Sequence, residues 1–339
     1  MTDQSRRLVL ACRPSGMVDG TVVRTERVDV PECGPGEAVI RVRYLSIDPT
    51  IRTWMDDAPG YLPPIEIDAV VRSGGIGEVV ASQSDAYAVG DTVFGMLGWQ
   101  DHAVIGGGAG TAQVVPGDID PTAALSVFGT TGMTAYFGLL DIGRPTPGDT
   151  VVVSGAAGAT GSVVGQIAKA KGAGTVVGIA GGPEKCDWVV DELGFDAAVD
   201  YKAGPVGPRL RELCPEGIDV YFDNVGGEIL DTCLAQLALH ARVVCCGAIS
   251  AYNEDRSKAY GLKNYFNLIV KRARMEGFLI LDYLDRFPEA QGEMLGWVLD
   301  GSVKHAVHVV EGLEAAPDAL NLLFTGGNTG KVIVAVDGD

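Results

Sequence analysis

Val151-Val152-Val153-Ser154-Gly155-Ala156-Ala157-Gly158-Ala159-Thr160-Gly161-Ser162-Val163-Val164-Gly165 decides the fold. Its β-branched start reads as a strand, its small residues as a tight turn, and its last four residues as the opening of a helix. The helix reading covers residues 162–171, where Val163 with Ile167 and Val164 with Ala168 fall four apart and build one apolar face. Gly172 comes next as a C-terminal cap. In a strand–turn–helix setting, a glycine-rich turn is a candidate pyrophosphate cradle. Gly158 permits close backbone approach, Gly161 lets the helix pack on the sheet, and Ala157, Ala159 and Thr160 line the turn. The helix start offers unpaired N–H groups and partial positive charge. Ala156 stands where the usual G-x-G-x-x-G pattern has its first glycine. The competing reading is a turn that only packs a helix on a strand.

Working outward, the same alternation continues. Strands are expected at Thr150–Ser154, Thr175–Ala180, Ala197–Asp200, Ile218–Asp223, 242–247 and 275–280. A second helix opens at Pro183, a favourable first helical residue, and closes before Gly194. Such a run of strands and crossover helices predicts an α/β Rossmann domain, a doubly wound parallel sheet, over 123–303. The first 122 residues have another texture, with short strands such as 39–45, 93–95 and 112–115 separated by turn signals. They read as a β-rich domain completed by 304–339, where two strands, 305–310 and 331–336, flank a helix near 314–324.

The second strand selects the cofactor. An NAD site places Asp or Glu at its end, to accept from the ribose 2′-OH. Here the strand ends in Ala180-Gly181-Gly182-Pro183-Glu184-Lys185. Gly181 leaves room, Lys185 supplies a cation, and Tyr201 adds a phenol donor, which together favour NADP(H). The plainer reading of Lys185 is a surface lysine paired with Glu184 or Asp187.

Composition agrees with a globular two-domain chain. It has 339 residues, 47% hydrophobic and 21% charged. The net charge of −18 repels nucleic acid and anionic membranes, and argues against either as partner. Seven irregularly spaced cysteines without a C-x-x-C pair support neither a disulfide framework nor a zinc ribbon. They are expected reduced and mostly buried, in a cytoplasmic protein. No apolar run approaches the ~18–20 residues needed to span a bilayer. The four histidines, His102, His240, His305 and His308, show no ligand spacing, so no metal is expected.

A set of further landmarks then carries a resemblance. They are Arg13-Pro14-Ser15-Gly16, Leu45-Ser46-Ile47-Asp48-Pro49 and Gly129-Thr130-Thr131-Gly132-Met133-Thr134-Ala135-Tyr136. Later in the chain come Asp223-Asn224-Val225-Gly226-Gly227-Glu228, Ile249-Ser250-Ala251-Tyr252-Asn253 and Gly327-Asn328-Thr329-Gly330-Lys331. Over nearly its whole length the chain resembles the zinc-independent medium-chain dehydrogenase/reductases, in particular the leukotriene/prostaglandin and curcumin reductase group. The catalytic cysteine, Gly-His-Glu motif and four-cysteine lobe of zinc-dependent relatives are missing.

The resemblance implies a GroES-like β-rich catalytic domain beside the Rossmann domain, a cleft between them, and a homodimer. It implies that Lys185 and Tyr201 hold the 2′-phosphate, that Asn224 and Asn328 lie along the cofactor, and that Thr134 lies near the nicotinamide. Phe278 and Leu279 belong to the stretch that fixes the nicotinamide amide. Tyr252 would contact the ribose and the reacting carbonyl, as catalytic donor. The alternative for Tyr252 is a phenol packed in a loop. Thr50 and Met55 fall in the segment that lines the substrate pocket in relatives. Read from the sequence itself, Tyr61, just before Leu62-Pro63-Pro64, caps the substrate pocket, the alternative being a packing role. The chain departs from the family at Thr50, Thr131 and His102, where tyrosine, proline and tyrosine are usual.

The expected activity is NADPH-dependent, metal-free reduction of the C=C bond of small α,β-unsaturated aldehydes and ketones. Hydride goes to the β-carbon, and Tyr252 with the ribose 2′-OH faces the carbonyl oxygen. Two other readings are quinone reduction and cofactor binding without turnover.

Overall fold

The computed structural model describes residues 4–117 and 119–337, the side chain of Arg256 excepted. The chain divides into two compact units. The first comprises 1–125, 307–328 and 332–339, and the second 126–306 with 329–331.

In the first unit, β1 (Gln4–Leu10) and β2 (Val23–Asp29) form an antiparallel pair. A seven-stranded sheet is built on β3 (Glu37–Ser46), β4 (Gly75–Ser82), β5 (Thr92–Gly95), β6 (His102–Gly106) and β7 (Ala112–Val114). The late strands β14 (Val307–Glu311) and β15 (Lys331–Ala335) complete it, in the order β14-β15-β3-β4-β5-β7 with β6 paired to β3. β14 begins two residues later than the strand expected at 305–310, and β15 spans Lys331–Ala335. Alternation along β3 buries Ala38, Ile40 and Val42 in a core shared with Leu8, Leu10, Trp99 and Leu320. Two short helices belong here, α1 (Thr50–Trp54) and α2 (Pro121–Leu125), and one longer one, α10 (Ala316–Thr325).

The second unit carries a six-stranded parallel sheet. Its strands are β8 (Thr150–Ser154), β9 (Thr175–Ala180), β10 (Ala197–Asp200), β11 (Ile218–Asp223), β12 (Leu237–Cys245) and β13 (Arg274–Gly277). The order is β10-β9-β8-β11-β12-β13, a doubly wound sheet whose direction of winding reverses between β8 and β11. Crossovers are supplied by α4 (Ala159–Ala170), α5 (Pro183–Asp191), α6 (Val206–Leu213) and α7 (Gly227–Leu234). The helices α3 (Thr130–Phe137), α8 (Phe266–Val270) and α9 (Phe287–Leu299) complete this unit. The fold is therefore the expected Rossmann sheet joined to a β-rich N-terminal unit.

The first four strands of this sheet coincide with the sequence reading, and in β8, β9 and β11 apolar runs with glycine near both ends leave little freedom. The last two differ. β12 starts five residues early, with Leu239 exposed and His240 at φ +62°, an irregular entry that hides the strand pattern. β13 ends at Gly277, because Ile280 opens a 3-10 turn. Helix α4 starts at Ala159, three residues earlier than read.

The cysteines correct one expectation. All seven are free thiols, but only Cys214 and Cys233 are buried, and Cys12 is exposed. No helix among the described residues is long and apolar enough to cross a membrane.

Candidate active site

The loops at the carboxyl ends of β8 and β11 flank the point where the winding reverses, which is where an open α/β sheet takes a ligand. They are fastened to each other. The Asn224 side-chain amide donates to the Ser154 carbonyl at 2.7 Å, and the Asn224 backbone amide donates to the Ser154 hydroxyl at 2.9 Å. That hydroxyl donates in turn to Asp223 at 3.0 Å. Asp223 also accepts from the Tyr221 phenol at 2.7 Å and from the amides of Val225 and Gly226 at 3.1 and 3.0 Å. Burial pushes the Asp223 carboxyl up, against the pull of these donors.

The turn itself explains the alanine at the first pattern position. Gly155 takes the left-handed conformation, at φ +60°. Ala156 needs no such freedom and is wholly buried. A Cβ on Gly161 would collide with the Gly155 carbonyl, so this glycine lets the helix begin inside the turn. Gly158 is the N-cap of α4, in extended conformation and without a side-chain cap. The amides of the first turn of α4 thus lack a side-chain acceptor. Ala157 accepts from the Gly330 amide at 2.8 Å, and Gly158 and Gly330 form a parallel bridge.

At the end of β9, α5 opens at Gly182 and Pro183, again without a side-chain cap. A Cβ on Gly181 would stand 2.8 Å from the Tyr201 ring and hydroxyl, so the phenol lies flush against this backbone. Lys185 is in the first turn of α5 and half-buried. Burial lowers its pKa, and the charge of Lys202 lowers it further. The cradle, the uncapped helix starts, the phenol and the two lysines form a donor set that fits an adenine dinucleotide with an additional phosphate.

Beyond β12, the segment carrying Tyr252 is zipped to the loop after β11. The Gly247, Ile249 and Ser250 amides donate to Asp223, Asn224 and Val225 carbonyls. The Ser250 hydroxyl donates to the Val225 carbonyl at 2.6 Å. The Tyr252 phenol oxygen accepts from the Ala248 amide at 3.1 Å, so the ring is held in place. Both readings of Tyr252 therefore have a footing, since the phenol braces its own loop beside the switch point. The Phe278 ring packs where a Cβ on Gly138 would be, and Leu279 is half-buried just beyond it. The Thr134 hydroxyl donates to the Thr130 carbonyl at 2.7 Å.

In the first unit, Asn328 is 7% exposed. Of the three pocket candidates, Thr50 begins α1 and is half-buried, and Tyr61 is exposed. Met55 is at 0% exposure within the hydrophobic core, so its side chain supports the segment rather than facing out. The Trp54 and Tyr61 rings meet edge-on at 6.2 Å, with the Arg72 guanidinium 5.6 Å from the Trp54 ring centre. Arg13 donates to the Met55 carbonyl at 2.8 Å, and Arg52 to that of Gly16 at 2.8 Å, which fixes α1.

Residues 6–114 match the family profile described as the N-terminal domain of oxidoreductase, and residues 159–296 that of zinc-binding dehydrogenase. The NADPH-dependent curcumin reductase of Escherichia coli (strain K12) is 41% identical, over 99% of this chain and 98% of that protein. The chain belongs to the medium-chain dehydrogenase/reductase superfamily.

Other members of the superfamily agree. The 2-alkenal reductase (NADP(+)-dependent) of Nicotiana tabacum is 38% identical, over 92% of this chain and 90% of its own. The crystal structure of CurA from Vibrio vulnificus in complex with NADPH superposes with a TM-score of 0.92 at 42% identity, covering 98% of this chain and all of that one. One profile carries zinc in its description. Among the described residues of this medium-chain dehydrogenase/reductase, no three His, Cys, Asp or Glu side chains are grouped to hold a metal ion.

Sequence reading passed over Lys202, Ser154 and Ser250. Lys202 was detectable as the residue after Tyr201 at a strand end. The two serines were not, because their part depends on which loops meet in space.

Proposed function

We propose that this chain is an NADPH-dependent reductase of the activated C=C bond of α,β-unsaturated aldehydes and ketones. The observation that carries the reading is the donor set at the carboxyl ends of β8, β9 and β11. It combines an uncapped pyrophosphate cradle with Lys185, Tyr201 and no carboxylate directly at the end of β9. Relatives named for NADPH-dependent curcumin reduction and NADP(+)-dependent 2-alkenal reduction, aligned over nine-tenths or more of this chain, support the chemistry.

When bound, NADPH supplies the hydride that adds to the β-carbon. The chain's own residues bind, orient and polarise. Ala157, Gly158, Ala159, Thr160 and Gly161 hold the diphosphate through backbone amides. Asn224, locked to Ser154, borders the cofactor, as does Asn328. Thr134, Phe278 and Leu279 bound the nicotinamide end. Tyr252 donates its hydroxyl to the substrate carbonyl oxygen, where negative charge develops as the β-carbon is reduced. A proton then reaches the α-carbon, from the same phenol or from water. Because Ala248 anchors the phenol oxygen, Tyr252 is preorganised. In the first unit, Thr50 and Tyr61 are the candidates for substrate contact, and Met55 supports their segment from the core. No metal takes part.

The protein works in the cytoplasm as a homodimer. β13 is an edge strand with all four residues exposed. Just before it, α8 buries no residue and exposes Phe266, Ile269 and Val270 at 61, 66 and 50%. An edge strand beside exposed apolar side chains suits pairing with a second copy.

The test is steady-state NADPH oxidation with a panel of enals, enones and quinones, in wild type and Tyr252→Phe. Turnover of enones to saturated ketones, with a loss on the order of 10²-fold in the variant, is expected. Turnover of quinones alone, or none, would overturn the reading.

A further inference from the structure

We propose that Lys202 is a second cation for the cofactor's 2′-phosphate, acting with Lys185 and unanticipated by the glycine-rich strand end that pointed to NADP(H). The inference rests on the NADP(H) reading of this site and extends it to a new residue.

The geometry begins with Asp200. One oxygen of its carboxylate accepts the Gly182 amide at 2.8 Å and the Lys202 amide at 2.9 Å. A single atom therefore pins the loop after β10 to the N-cap of α5. Those two amides, with smaller contributions from the Ala203 amide and the charge of Lys202, hold the Asp200 carboxyl below the usual carboxylate range. The Tyr201 amide meanwhile donates to the Ala180 carbonyl at 3.1 Å, and Asp200 pairs with Ala180 across the sheet. These ties bring Gly181, Gly182, Lys185, Tyr201 and Lys202 to one place.

The two ammonium groups differ in setting. Lys185 is half-buried in the first turn of α5, whereas Lys202 is exposed on the facing loop. They are close enough that the charge of Lys202 adds to burial in lowering the Lys185 pKa. Among the described residues Lys202 makes no ion pair within 4.0 Å, and the carboxylate that feels its charge is Asp200, whose oxygen is already taken up by the Gly182 and Lys202 amides. Assembling like charges is unfavourable unless an anion joins them. A phosphate monoester, near −2 at neutral pH, has the charge and the acceptor oxygens to engage both cations and the Tyr201 phenol. The chain's net charge of −18 makes a second local cation more valuable, since the surrounding field opposes every anion.

The experiment is calorimetric titration with 2′,5′-ADP and with 5′-AMP, the same nucleoside with and without the 2′-phosphate. It is run on wild type, Lys202→Met, Lys202→Arg and Lys185→Met. Loss of one exposed cation is expected to weaken 2′,5′-ADP binding about two- to fivefold in Lys202→Met. Binding of 5′-AMP should be unchanged, and Lys202→Arg should keep most of the affinity. The dependence of 2′,5′-ADP binding on salt should be shallower in Lys202→Met. Wild-type affinity for 2′,5′-ADP in Lys202→Met would overturn the role of Lys202 and leave the NADP(H) reading standing. A wild-type protein that binds both nucleotides equally would overturn the NADP(H) reading and this assignment together. No enone enters the titration, so its outcome is independent of the reduction chemistry.

Discussion

Asn224 and Ser154 hold each other twice, the side-chain amide donating to the carbonyl at 2.7 Å and the backbone amide to the hydroxyl at 2.9 Å. The pair closes the two loops at the switch point into one frame, with Asp223 beneath it. Ser154→Ala removes the acceptor of one backbone amide and one donor to Asp223. The expected cost is about 1–3 kcal/mol of stability, read by urea denaturation. NADPH affinity, followed by fluorescence titration, should fall with it. Unchanged values for both would show that the frame does not depend on this hydroxyl.

Gly181→Ala tests the phenol. The added methyl would meet the Tyr201 ring at 2.8 Å and displace it. NADPH affinity should drop several-fold while NADH affinity changes little, since only the former carries the phosphate that Tyr201 faces. A parallel loss of both would place the ring against the adenosine common to the two.

The ion pair of Arg242 with Asp149 gives a pH signature remote from the site. Both side chains are mostly buried, and the guanidinium also donates to the carbonyls of Gly143 and Arg144. Burial pushes the Asp149 carboxyl up, but the Thr146 amide and the Arg242 guanidinium outweigh it, and the net direction is down. A carboxyl lowered in the folded state stabilises above its unfolded value and loses that contribution as pH falls through the folded one. Wild type should therefore lose stability below about pH 4, and Arg242→Met should show a flatter acid limb. Superimposable acid limbs in chemical denaturation would count against the assignment.

Charge introduced on α8 tests the association surface. Phe266→Glu with Ile269→Glu alters two exposed side chains and leaves Leu268, which packs against the core, in place. Sedimentation velocity should show a dimer for wild type and a monomer for the double variant, with the circular dichroism spectrum retained. A variant dimer would move the contact elsewhere.

Much of this was legible in the residues. Strands such as Thr150–Ser154 and Ile218–Asp223 are apolar runs with glycine near both ends, and the helices between them carry one apolar face. The NADP(H) preference was legible because glycine and lysine stand where an acid would sit. What escaped depends on tertiary neighbours. Nothing in the pattern marks Gly155, rather than the next position, as the left-handed residue of the turn, nor makes Asp200 the clasp that brings Lys202 to Lys185. Met55 resembled a pocket residue, yet its side chain completes the core of the first unit. That choice is made by the tertiary cluster that Met55 shares with Leu8, Leu10 and Leu320, residues far from it in the chain.

The most direct test tracks the hydride. Wild-type protein is incubated with an enone and NADPH deuterated at the transferred position of the nicotinamide, and the product is read by nuclear magnetic resonance. A saturated ketone with deuterium on the former β-carbon is expected. Deuterium on the carbonyl carbon of an allylic alcohol would contradict it, because the hydride would then have been directed to the C=O bond.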